Sequence, residues 1–357
     1  MKLLVLGGTR FLGRHLVDAA LARGDEVTTF TRGKQPDHWG GRVRNLVGNR
    51  DPRQAPGLDA LAAGEWDAVV DTCGYVPRVV RASAELLDRR VERYLFVSSI
   101  SVFTDASRPG LTERDPVGAL QDPDTEEIGK FYGPLKAACE RVVTDVFGAR
   151  ALNVRPGLIV GPHDPTDRFG YWVARFVQPR LMGDRSDVAV VPNPPDRPIQ
   201  LIDVRDLAAF MLVLLDKGLE GTHNATSPRG QWTFADLVAA LTAAGGAQTP
   251  TPRWVEESVL LDRKVEPWTG LPLWIPSSFA DEAGFMQIDC TRAERAGLAT
   301  RSLRDTIADT AAWLAQRDNT GAWRDVLTAD AEREVVVAAD AAAAGTPPAP
   351  ATPRTLH

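Results

Sequence analysis

The chain begins Met1-Lys2-Leu3-Leu4-Val5-Leu6-Gly7-Gly8-Thr9-Arg10-Phe11-Leu12-Gly13, and the reading of this stretch decides the fold. An apolar run of strand length stops at two glycines. It passes directly into residues 11–23, where Phe11, Leu12, His15, Leu16, Ala19 and Ala20 recur at helical spacing. Gly24 stands where a helix-terminating glycine belongs. Such a strand–turn–helix presents the helix N-terminus, with its unpaired N–H groups and positive dipole end, to a pyrophosphate. Glycines let the backbone approach that group and let the helix pack on the strand. Gly7 and Gly13 hold the first and last places of a GxxGxxG loop, with Arg10 in the middle place. Thr9, Arg10, Phe11 and Leu12 complete the loop expected to meet a dinucleotide.

Outward from this loop, residues 27–31, 67–71 and 94–98 read as buried strands, with a helix over 78–90. Residues 152–155 and 199–202 read as later strands, and 204–215 as a helix. The alternation predicts an α/β protein, a doubly wound parallel sheet of Rossmann type with right-handed crossovers. From Pro162 the texture changes. Prolines cluster at 192–198 and 267–276, and most of the tryptophans lie here. The expected organisation is a Rossmann domain over 1–160, joined by about 199–226. A smaller, interleaved α/β substrate-binding part covers 161–198 and 227–330. A terminal helix and a disordered Ala/Pro-rich tail cover 331–357.

Composition narrows the classes of function. The 357 residues are 44% hydrophobic with a formal charge of −6, which argues against a generic polyanion binder. Cys73, Cys139 and Cys290 form no CxxC pair, and the five histidines show no HxxH or HxxxH spacing. A reducing, cytoplasmic compartment and no metal site are therefore expected. The apolar run after Lys2 is too short for a signal peptide, and no stretch of about 20 apolar residues offers a membrane span.

The second strand ends Phe30-Thr31-Arg32-Gly33-Lys34. An NAD-preferring fold commonly puts a carboxylate here for the ribose 2′-OH. Thr31, Arg32 and Lys34 present no negative charge and two cations able to pair with a 2′-phosphate. The expected cofactor is NADP(H), with NAD(H) as the alternative.

Phe131-Tyr132-Gly133-Pro134-Leu135-Lys136 places Tyr132 and Lys136 on one helical face. Pro134 is tolerated only in a first turn, so Tyr132 is expected at the start of that helix. There the dipole and the Lys136 ammonium both favour a phenolate, as a general acid/base tyrosine requires. With four tyrosines and six lysines in the chain, this pairing is not expected by chance. A third polar group is expected at the end of the strand over 94–98, where Ser99 is the first choice and Ser98 the second, since hydroxyls there face the ligand crevice.

At these residues the sequence resembles the extended short-chain dehydrogenase/reductase superfamily, also called the NAD-dependent epimerase/dehydratase family. The resemblance spans about 1–317 and rests on four features. These are the glycine loop, the Ser99/Tyr132/Lys136 set, Asn153-Val154-Arg155-Pro156-Gly157-Leu158-Ile159-Val160-Gly161-Pro162, and Ile202-Asp203-Val204-Arg205-Asp206-Leu207-Ala208. Arg10 and Thr31-Arg32-Gly33-Lys34 are similar to an atypical branch, which holds isoflavone-reductase-like bacterial proteins and chloroplast stem-loop-binding proteins. The resemblance implies that Tyr132 exchanges a proton with the substrate oxygen, Lys136 holds the nicotinamide ribose and Ser99 orients the carbonyl. It further implies that Asn49 and Arg50 flank the adenine. Thr72, Cys73 and Gly74 would lie beside the cofactor, and Pro156, Gly157 and Leu158 would line its nicotinamide side. A homodimer through the Tyr132/Lys136 helix is implied as well.

Some features depart from nucleotide-sugar enzymes. Leu158 replaces an Asn, Ile199 stands near the place of a phosphate-binding Arg with Arg197 as its neighbour, and Ser99 is followed by Ile100 and Ser101 rather than Asp-Glu. The leading expectation is an NADPH-dependent reductase or dehydrogenase acting on a small-molecule carbonyl or alcohol. A nucleotide-sugar epimerase or dehydratase is the alternative, and an RNA-binding protein on this fold the third reading; the Tyr/Lys pair and the acidic balance argue against nucleic acid. Phe169, Tyr171, Trp172, Trp268 and Trp274 would line an apolar pocket, although such spacing suits a core better. His163, Asp164 and Arg168 read as loop-capping, with contact to polar groups of the substrate as the alternative, and Asp203 and Arg205 as bracketing a helix start.

Overall fold

The computed structural model describes residues 1–183, 185–320, 323 and 325–345. In chain order the first elements are β1 (Lys2–Leu6), α1 (Phe11–Ala22), β2 (Glu26–Thr31), β3 (Arg44–Val47), β4 (Trp66–Asp71), α2 (Pro77–Leu87), β5 (Val91–Val97), α3 (Ile128–Phe147) and β6 (Ala151–Pro156). Next come β7 (Leu158–Val160), α4 (Arg168–Val177), β8 (Val188–Pro192), β9 (Pro198–Ile199), β10 (Leu201–Asp203), α5 (Val204–Asp216) and β11 (Gly221–Ala225). The last are β12 (Trp232–Thr233), α6 (Phe234–Gly245), β13 (Thr251–Val255), α7 (Glu257–Asp262), α8 (Thr291–Ala296), α9 (Leu303–Leu314) and α10 (Ala329–Ala343).

Two compact units divide the chain. The first comprises Met1–Ile159, Gln200–Arg229 and Gly284–Thr300. It is built on a seven-stranded parallel sheet in the order β11-β6-β5-β4-β1-β2-β3. Alternation along β1 explains the two covered faces. Leu3 and Val5 pack with Leu12 and Leu16 of α1 and Leu207 and Met211 of α5. Leu4 and Leu6 pack with Val80 and Leu87 of α2 and Cys139 and Val143 of α3. Strand order reverses between β1 and β4, the switch point at which such sheets bind ligands beyond the strands' carboxyl ends.

The second unit comprises Val160–Ile199, Gly230–Ala283 and Arg301–His357. Phe169, Tyr171, Trp172, Phe234 and Trp274 are fully buried there. Trp172 donates its indole N–H to the Pro272 carbonyl (2.9 Å) and meets Phe234 edge-on at 5.8 Å. The aromatics offered above as a pocket lining are thus core. Trp268 differs: it is half-buried beneath the Arg168 guanidinium.

Other expectations need correction. The strand expected over 199–202 is broken at Gln200, whose buried amide donates to Ser227 and Ile288 and accepts from Ile288. Gly284–Thr300, assigned above to the substrate part, belongs with the first unit. Ile288 packs there with Ile100 and Val102, and the Asp289 carbonyl accepts from Asn224 of β11. The terminal helix begins at Ala329 within the second unit, and residues 346–357 of the expected tail lie outside the described residues. β3, mostly exposed, carries no apolar alternation that would announce it. No helix among the described residues is long and apolar enough to cross a membrane, and they hold no His/Cys/Asp/Glu cluster suited to a metal.

Candidate active site

The glycine loop leaves β1 at the switch point. Gly7 and Gly8 both sit at φ +100°, a conformation that side chains oppose. A Cβ on Gly7 would overlap the Thr72 hydroxyl, and one on Gly13 would lie 2.7 Å from the Gly8 backbone. Glycine at these places is what allows α1 to seat against the loop. Arg10 is the N-cap residue of α1 but its side chain does not cap, and the first turn holds no acidic residue. The first-turn amides, with Thr9, Phe11 and Leu12 around them, therefore face the loop under no carboxylate. This cradle fits a dinucleotide pyrophosphate.

Thr31 donates its hydroxyl to Asn45 Oδ1 (2.9 Å) and accepts from the Gly33 N–H (3.1 Å). The turn so fixed carries Arg32 and Lys34, both exposed, as is Arg10. Asn45 lies on the strand the sequence did not announce. Asn49 donates its side-chain amide to Gln54 (3.0 Å).

Arg50, expected beside the adenine, is engaged by buried protein groups. Its guanidinium forks onto Asp71 at 2.5 and 2.7 Å and donates to Ser83 (2.8 Å). Tyr94 donates its hydroxyl to the same carboxylate (2.9 Å), and Asp71 is wholly buried. This network under the glycine loop has no local signature, because its members are scattered over the loop after β3, β4, α2 and β5. Next to it, Thr72 donates to the Leu6 carbonyl (2.9 Å), and the Cys73 N–H donates to Asp71 (3.1 Å). Burial pushes the Cys73 thiol up, away from the thiolate. On the other side, the Gly157 N–H donates to Ala225, just past Pro156 at the end of β6, and Leu158 is buried in β7.

α3 carries the catalytic candidates. Its regular geometry is interrupted at Phe131 (φ −119°, ψ 31°), so the run containing Pro134 starts afresh at Tyr132. A Cβ on Gly133 would overlap the Ser101 carbonyl. That glycine brings the start of the helix against the short turn Ile100–Val102, whose N-cap is Ser99. Ser99 Oγ accepts from the Ser101 N–H (3.1 Å) and donates to Ser101 Oγ (3.1 Å). Ser98 is buried beside it. The structure therefore brings Tyr132 and the Ser98–Ser101 segment together.

One turn along α3, Lys136 is almost fully buried and donates to the carbonyls of Gly74 (2.8 Å) and Val97 (2.6 Å). The Phe96 ring lies 4.5 Å from its Nζ. Burial pushes its pKa down to about 8, against the upward pull of Asp71. A further turn on, Glu140 takes a fork from Arg155 at 2.8 and 2.7 Å, both side chains buried. This pair ties α3 to β6 and likewise has no local signature. Asp203 and Arg205 bracket the start of α5 as expected, the Asp203 carboxylate accepting from the Arg205 N–H (2.9 Å). Arg197 is held inside the second unit by Glu257 and the Ile275 carbonyl, both at 2.5 Å.

Fold and cradle are those of a dinucleotide-binding protein of Rossmann type. Residues 3–226 match the NAD dependent epimerase/dehydratase family, and the chain belongs to it. It is an NAD(P)-dependent oxidoreductase or epimerase. Among curated relatives, the chloroplast stem-loop binding protein of 41 kDa b from Arabidopsis thaliana is 28% identical over 70% of this chain, a stretch spanning 64% of that protein. The dTDP-6-deoxy-L-talose 4-dehydrogenase (NAD(P)(+)) of Kitasatospora kifunensis is 27% identical over 75% of this chain and 90% of its own length. The UDP-glucuronic acid 4-epimerase of Bacillus cereus, solved with NAD, shares the fold with a TM-score of 0.63 at 15% identity, over 90% of this chain and 99% of that one.

Proposed function

We propose that this chain is an NADP(H)-dependent reductase or dehydrogenase of a small-molecule carbonyl or alcohol, with Tyr132, Lys136 and Ser99 as its reaction centre. The observation that carries the reading is Lys136. A lysine withdrawn from water at the carboxyl ends of the strands, one turn from a tyrosine at a helix start, suits proton transfer better than it suits stability. The nicotinamide supplies the hydride when bound. Tyr132 gives the substrate oxygen its proton in reduction and takes it back in oxidation. Ser99 holds that oxygen by a hydrogen bond, and Lys136 holds the ribose hydroxyls. Arg32 and Lys34 pair with a 2′-phosphate.

A second reading is an epimerase or dehydratase on a nucleotide sugar, supported by the description of the family that residues 3–226 match. Leu158 and the engaged Arg197 weigh against it, because each leaves an expected nucleotide contact unmade.

The test is NADPH oxidation against a panel of ketones and aldehydes, run beside nucleotide sugars. One NADPH is expected to be consumed per carbonyl reduced. Tyr132→Phe is expected to lower kcat by about 10²–10⁴-fold while leaving the Kd for NADPH in place. Turnover of a nucleotide sugar without net NADPH consumption overturns the reductase reading. An unchanged kcat in Tyr132→Phe overturns the site.

A further inference from the structure

Tyr75 follows Gly74 in the loop after β4, and no motif singles it out. Its ring centroid lies 4.9 Å from Lys136 Nζ and 6.4 Å from the ring of Tyr132, the two ring planes 40° apart. The Lys136 ammonium thus has four neighbours. The Gly74 and Val97 carbonyls accept two of its N–H bonds, and the rings of Phe96 and Tyr75 offer their π faces. Phe96 is fully buried, whereas Tyr75 is 40% exposed. Tyr75 is the member of this cage that stands between the ammonium and solvent. Its hydroxyl is poorly suited to acid/base work itself, since burial and the neighbouring Tyr132 push it up to about 12.

We propose that Tyr75 is a positioning residue for Lys136: its ring seals the solvent side of the ammonium and leaves the third N–H directed to a ribose hydroxyl beside Tyr132. The proposal rests on the reading of Lys136 and Tyr132 given above. It assigns the work to the ring face, so the phenolic oxygen is dispensable.

The consequence for Lys136 has a definite sign. Desolvation is the largest influence on its charge and disfavours it; Asp71, Cys139 and Cys73 favour the charge, and Arg50 opposes it. Removing the ring admits water, which makes a full hydrogen bond where the ring offered only its quadrupole. The charged form gains, and the pKa rises toward the ordinary lysine value.

The test uses the intact protein carrying ¹³Cε-lysine, whose six lysines are few enough to resolve by NMR. Lys136 is assigned by loss of its signal in Lys136→Arg and titrated from neutral to alkaline pH in wild type, Tyr75→Phe and Tyr75→Ala. NADPH affinity is measured in parallel by fluorescence. Tyr75→Phe is expected to match wild type in both measurements. Tyr75→Ala is expected to raise the Lys136 midpoint by about one unit and to weaken NADPH binding several-fold. A wild-type midpoint and affinity in Tyr75→Ala overturn the proposal. So does a Tyr75→Phe variant that behaves like Tyr75→Ala, which would move the role to the hydroxyl. The lysine titration needs no substrate. It therefore stays informative if Tyr132→Phe retains full turnover and the acid/base reading falls.

Discussion

Arg32 and Lys34 are exposed cations on a turn held by the Thr31 hydroxyl between Asn45 and the Gly33 amide. Position rather than number makes them informative: they follow β2, where a ribose-binding carboxylate would otherwise discriminate against a 2′-phosphate. Replacing both by serine is expected to raise the Kd for NADPH tenfold or more, since a charge-assisted hydrogen bond contributes about 1.5–3 kcal/mol. The Kd for NADH, which lacks the phosphate, should stay nearly constant. Titrating both cofactors by fluorescence checks this, and equal losses for the two would remove the assignment. At this scale the sequence is legible wherever spacing is local. Tyr132 and Lys136 are four residues apart, and Gly7 to Gly13 six. Asp71 with Arg50, Lys136 with Tyr75, and Glu140 with Arg155 are brought together by tertiary packing, so no window along the chain displays them.

Two glycines in helices show how an element is docked. Gly13 lies in the first turn of α1, where a methyl group would meet the Gly8 backbone at 2.7 Å, and backbone cannot give way as a side chain can. Gly129 opens α3 with nothing within 4 Å of its would-be Cβ. Gly13→Ala is expected to cost about 1–3 kcal/mol through overpacking and to abolish dinucleotide binding by lifting α1 from its loop. Gly129→Ala is expected to be neutral or to stabilise by about 0.4–1 kcal/mol, because it narrows the unfolded chain's freedom at a site with room. Urea denaturation with and without NADPH separates the two effects. Elements were readable where they carried a buried stripe, as β1 and α1 do. β3 escaped because it is an exposed edge strand, and the break at Gln200 escaped because a buried amide bonding to Ser227 and Ile288 has no local signature.

The whole molecule depends on contacts that close long loops, and the second unit offers the sharpest case. Glu332, on α10, is buried with its carboxylate facing Arg175 and Arg185, each at 3.2 Å, and it also accepts from the Val190 N–H of β8 (3.2 Å). Two guanidiniums thus share one carboxylate across about half the chain. Such a cluster is weak evidence of net stabilisation as a unit, since every charge in it was withdrawn from water. Removing only the carboxylate leaves two buried cations with no counter-charge there, held by the Ser186, Val188 and Leu327 carbonyls, and takes the acceptor from the Val190 N–H. Glu332→Ala is therefore expected to cost about 3–5 kcal/mol. One residue further along the helix, Arg333 pairs with Asp330 in solvent, both side chains half-exposed or more. Arg333→Ala is expected to cost less than about 1 kcal/mol. The comparison is read as the shift in urea midpoint followed by tryptophan fluorescence, most of the tryptophans lying after Pro162. A Glu332→Ala midpoint no lower than that of Arg333→Ala would mean that α10 is held by its apolar face, Val335, Ala338 and Ala339, and not by the buried carboxylate.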